Sequence, residues 1–126
     1  MPTYSENGKN SYTAAAAVAK GDILKFATAD AQGLPSVTPT TAATDAAIAI
    51  AITDANQGEK VAVKILGTGG TTLVKAGGTV AAGATIGATG AEAAAGNTAI
   101  GVALNAAAQG DLVEVATVMP VVVPAS

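Results

Sequence analysis

The stretch AAIAIAITDANQGEKVAVKI, residues 46–65, is matched 52 residues later by TAIGVALNAAAQGDLVEVAT, residues 98–117. The corner Gln57-Gly58-Glu59 falls on Gln109-Gly110-Asp111. Ile48, Ile50 and Ile52 fall on Ile100, Val102 and Leu104, and Val61 and Val63 fall on Val113 and Val115. In both copies an alternating run leads into a Gln-Gly-acid corner and a second alternating run leads out. That is the pattern of a β-hairpin, and it occurs twice.

The period decides between strand and helix. Residues two apart share a face of a strand, whereas helical spacing would scatter the three isoleucines around the cylinder. The expected core face therefore carries Ile48, Ile50 and Ile52, with Ala47, Ala49 and Ala51 on the other side. The second copy repeats this with Ile100, Val102 and Leu104 against Ala99, Gly101 and Ala103. The small-residue face is nearly bare backbone, suited to close approach by another sheet or chain.

A second match lies upstream. AVAKGDIL, residues 17–24, resembles TVAAGATI, residues 79–86, with Gly21 on Gly83 at an offset of 62. The offsets differ because the first copy carries a longer excursion, QGLPSVTPTTAAT, residues 32–44. Two copies are too few for a solenoid, so a duplicated β-unit folded on itself is expected. The sequence predicts an all-β fold, a compact β-barrel or β-sandwich built from two similar units at about 17–66 and 79–118. A single β domain over 14–126 would follow an extended polar N-terminal arm over 1–13. GTGGTT, residues 67–72, reads as the link between the halves. DAQGLP and AEAAAG could each hold a helical turn but not a long helix. PVVVPAS, residues 120–126, reads as an extended piece for a sheet edge.

Composition narrows the function. The 126 residues hold one Phe, two Tyr and no Trp, so large apolar side chains are nearly missing. Stability must come from many small β-branched contacts or from burial against another chain. Charged residues make up 12%, about half the usual share, which favours an oligomer or an assembled lattice. The net charge is −3, the pI is near 4.6 and there is no Arg. Six scattered lysines make no basic stripe, so nucleic acid is not an expected partner. No secretory signal or membrane-spanning run is visible, and the expectation is a soluble chain with no membrane partner, made inside a cell.

Reactive groups are scarce. Without His or Cys the commonest general base, metal ligands and thiol chemistry are missing. Several of the nine carboxylates sit beside Gly at corners, where water solvates them. No EF-hand spacing occurs, and the serines have no His to activate them. Gly67–Thr72 lacks the GK[ST] ending of a phosphate loop. No enzyme, cofactor or metal is expected. The alternatives are other non-catalytic binding modules, such as a carbohydrate-adhering domain or a lipoyl- or biotinyl-like carrier. For the carrier, Lys75 in LVKAGGTVAAGATI would be the acceptor, although Leu73-Val74 precede it and a Gly corner follows soon after.

Four segments in order, VAKGDIL, AIAIAITDANQGEKVAVKI, LVKAGGTVAAGATIG and NTAIGVALNAAAQGDLVEV, resemble the small capsid cement or head decoration proteins of tailed bacteriophages. The resemblance runs over roughly Ser11–Val118. That family has sometimes been labelled a predicted recombinase, an activity that the absence of Arg, His and a complete nucleotide loop opposes. The resemblance implies a compact β protein that forms a homotrimer on the outer surface of the virion after synthesis in the bacterial host cytoplasm. It would bind the major capsid protein where subunits meet and clamp neighbouring capsomers. The arm would lie along the capsid with Tyr4 and Tyr12 as its anchors.

Overall fold

The computed structural model describes residues 9–27, 35–67, 70–94 and 96–123. Nine strands follow in chain order: β1 (Lys9–Ala14), β2 (Ile23–Ala27), β3 (Ser36–Pro39), β4 (Ala49–Ala51), β5 (Lys60–Ile65), β6 (Thr71–Lys75), β7 (Thr85–Gly87), β8 (Thr98–Ala103) and β9 (Leu112–Val122). Strands β1-β3-β2-β4-β5 form a closed barrel, in which β5 also pairs with β1. The second unit is a four-stranded sheet in the order β6-β9-β8-β7. All pairs are antiparallel except β1 with β3. The fold is all-β, with no helix among the described residues.

Pairing repeats between the units at the offsets of the sequence. Thr13 opposes Lys60, and Lys75 opposes Leu112. The bridge Val18–Ala55 is matched by Val80–Ala107. At the corners, the Gly58 amide donates to the Ala14 carbonyl and the Gly110 amide to the Ala76 carbonyl, both at 2.8 Å. Both glycines have φ near +90°, where a Cβ would crowd the backbone, so the Gln-Gly-acid corner needs glycine.

The units differ by one strand. In the first, β3 lies between β1 and β2 and closes the barrel. In the second, only a short piece survives: Gly87 donates to Ala91 and Ala93 donates to Thr85, both at 2.8 Å. β6 and β7 are therefore the two ends of an open sheet. The barrel wall fills the concave side of that sheet. Ile23, Ala47, Ile50 and Leu66 from the first unit pack with Val74, Val80, Ile86, Ile100, Val113 and Val115 from the second. A separate core fills the barrel, from Tyr12, Val18, Leu24, Val37, Val61 and Val63 with Ala14, Ala49, Ala51 and Ala55.

This arrangement corrects the expected core face. β4 is buried on both sides, with Ala49 and Ala51 inside the barrel and Ile50 in the core between the units. On β4 the alanines point into a barrel interior that Tyr12, Leu24 and the valines already fill, and the larger Ile50 points into the core between the units. In the second copy Ile100 is buried while Val102 and Leu104 are exposed.

Three boundaries also move. Lys9–Ala14 is barrel strand β1, paired with β5 and β3, so the part of the expected arm from Lys9 onward is inside the domain. Tyr4, with the rest of residues 1–8, lies outside the described residues. Thr71 and Thr72, expected in a link, begin β6. β9 runs to Val122, and Pro120 sits where four steps along β9 match two along β8. The pairing is interrupted there, and a missing N–H costs least at such an interruption.

Candidate interaction surface

The convex side of the second sheet is the largest set of exposed apolar side chains that the strands bring together. Alternation puts Val113, Val115 and Thr117 of β9 inward and Leu112, Glu114 and Val118 outward. One row crosses all four strands, Thr85–Val102–Ala116–Thr71, each pair in register. The next row holds Leu73 opposite Glu114, with the Leu104 amide bonded to the Glu114 carbonyl at 2.8 Å. Leu104 is 49% exposed and Val102 38%. A strand face that meets only water normally reads polar. Glu114 is the charge on these two rows, and Lys75 stands on the next, opposite Leu112; Glu114 accepts the Thr71 hydroxyl at 3.1 Å and Lys75 lies 3.6 Å from Asp22.

A second apolar feature lies at the barrel mouth. Tyr12, Phe26, Ala47, Ile48, Ile65, Leu66 and Pro120 line a shallow groove of about 310 Å³. Phe26 is 54% exposed and stands edge-on to Tyr12, with ring centroids 5.8 Å apart and planes at 75°. The T-shaped contact fixes the Phe26 ring at the rim. Tyr12 is only 7% exposed. Of the two tyrosines expected as anchors, Tyr12 is a barrel core residue, and among the described residues Phe26 is the aromatic presented at the surface.

The carboxylates serve the corners. Asp22 accepts the Ala19 amide at 2.9 Å, Asp54 the Lys20 amide at 2.7 Å, and Glu59 the Asn56 amide at 2.7 Å. Asp45 accepts the Thr41 and Ala42 amides at 2.8 and 3.0 Å and pairs with Lys25 at 3.2 Å. The Thr41 amide first, then Ala42 and Lys25, hold its carboxyl down from 3.8 to about 2. Among the described residues no group of three or more acidic side chains is arranged to hold a metal ion. Lys75 closes β6 within the ladder, opposite Leu112. That setting differs from an acceptor lysine carried at a hairpin tip.

Sequence reasoning missed the convex face, although the two copies contain its signal. Ser11 and Lys60 of the first unit correspond to Leu73 and Leu112 of the second, so polar residues in one copy are replaced by leucines in the other.

No family model matches the chain, and no curated protein matches it. Among solved structures the fold is similar to the crystal structure of the head fiber gp8.5 N base in bacteriophage phi29. The TM-score is 0.66 at 20% sequence identity, covering 86% of this chain and 92% of that one. At that identity the likeness is one of fold, and it spans nearly the whole of both chains.

Proposed function

We propose that this chain is a structural virion protein that decorates and stabilises the outer surface of a phage capsid. It binds between major capsid subunits as an oligomer, most simply a trimer, and catalyses nothing. The observation that carries the reading is the shared fold with the base of a phage head fiber, over 92% of that chain. The surface agrees with it: exposed apolar side chains on a low-charge β framework suit protein contacts rather than chemistry. Many copies on one shell would add their weak contacts into strong retention, because each copy ties together neighbours already held close.

In this reading the barrel-mouth groove, with Phe26 at its rim, meets the capsid. Co-sedimentation with empty expanded heads of the parent phage tests it. Saturable binding is expected, weakened about tenfold or more by Phe26→Asp. A protein that stays in the supernatant at all concentrations rules the proposal out.

A further inference from the structure

We infer that the convex face of the second sheet, centred on Val102, Leu104 and Leu73, is where copies of this chain associate with one another. The inference rests on the proposed oligomeric decoration role but is argued from the repeat inside the chain.

The first unit serves as an internal control. Its outward side chains Ile23, Ile50 and Leu66 are buried because the concave side of the second unit covers them. At the repeat offsets, their counterparts in the second unit are Thr85, Val102 and Val118. All three are exposed, with none of the described residues covering them as the second unit covers the first. Val102 and Val118 have nonetheless kept apolar character, and Leu104 stands beside them. Leu73 and Leu112 extend the patch across β6 and β9, at positions that are Ser11 and Lys60 in the first unit. The second unit thus carries more apolar surface where it is uncovered than the first does at the equivalent β1 and β5 positions.

The occupant follows from what remains available. The concave surface that fits such a face is filled in every copy by that copy's own barrel. Head-to-tail stacking onto another copy's concave side is therefore blocked. Convex faces can still meet each other around a symmetry axis, a contact that closes on itself rather than growing into a fibre. The charges allow it: each face bears Lys75 and Glu114 on neighbouring strands, so a rotated copy can set a lysine against a glutamate, with Asp22 at the rim.

Sedimentation equilibrium of the full chain at micromolar concentration, with Val102→Asp and Leu104→Glu, tests the inference. The wild type is expected as a closed oligomer. Each variant should associate about tenfold or more weakly, with an unchanged far-ultraviolet spectrum. Leu104 is so exposed that Leu104→Glu reports even if Val102→Asp fails to fold. A monomeric wild type, or variants that assemble as the wild type does, overturn the inference. The same samples mixed with heads separate the two claims. A monomer that binds heads sinks the self-association alone, whereas an oligomer dispersed by Leu104→Glu that never binds heads sinks the capsid role alone.

Discussion

The backbone amide of Lys75 donates to the carbonyl of Gly21 at 2.9 Å, joining an edge of the open sheet to a corner of the barrel. Its counterpart in the first unit, the Thr13 amide, donates instead to Pro35 at the entry to β3. A corner of the barrel thus takes over part of the role of the strand that the second unit lacks. Gly21 has φ +91°, and a Cβ there would sit 2.8 Å from Leu112 Cδ2 and 3.0 Å from the Lys75 nitrogen.

Gly21→Ala should therefore destabilise the fold by about 2–4 kcal/mol, from left-handed backbone strain plus crowding at the junction. Gly58→Ala shares the positive φ, but nothing lies within 4 Å of the added carbon. It should cost about 1–2 kcal/mol. Urea denaturation of the two variants measures the difference, and equal losses would mean that the junction is not tight.

Ile50 and Val102 occupy equivalent positions with opposite burial. Ile50→Ala should cost about 3 kcal/mol by leaving a cavity between the units. Val102→Ala should cost under about 1 kcal/mol when measured on dilute monomer. Denaturation midpoints at matched slopes test the pair.

The carboxyl of Asp45 titrates at about 2 in the folded chain against 3.8 ordinarily. A lowered folded pKa favours the folded state once the group is ionised. The contribution of Asp45 is thus present above about pH 4 and disappears as pH falls through about 2. Asp45→Asn should lower stability at neutral pH and flatten the acid limb of a stability profile between pH 5 and about 2. Denaturant melts across that range check the slope, and an unchanged slope would remove Asp45 as the cause.

Tyr12 and Phe26 touch each other but should respond differently. Tyr12→Ala removes a buried ring from the barrel core and should cost about 3–4 kcal/mol. Phe26→Ala should change stability by about 1 kcal/mol or less, beyond the lost ring contact, while reducing head binding. Thermal melts and co-sedimentation on the same preparations separate the two effects.

Much of the fold was legible in the residues. The Gln-Gly-acid corners, the period of two and the offsets of 52 and 62 all have counterparts in the pairing register. The faces were harder to read, because alternation says which residues share a side but not which side meets the larger core. At β4 both sides are covered, so Ile50 and Ala49 are equally buried although they point in opposite directions. Residues 9–13 looked like part of a tail because their sequence, KNSYT, is polar. Their place in the barrel depends on long-range pairing with β5, which no local pattern announces. The candidate surface was hidden for a related reason: single valines and leucines in an Ala-rich chain resemble core until the uncovered side of the sheet is known.

The wall shared by Ile23, Ile50 and Leu66 has a consequence for how the polypeptide is made. A nascent chain released only as far as Gly67 would have its barrel strands but would present those three side chains bare to solvent. It would be sticky until Val113 and Val115 emerge to shelter them. Neither half is therefore a viable product by itself, and the protein should melt in a single cooperative step despite its two-part layout.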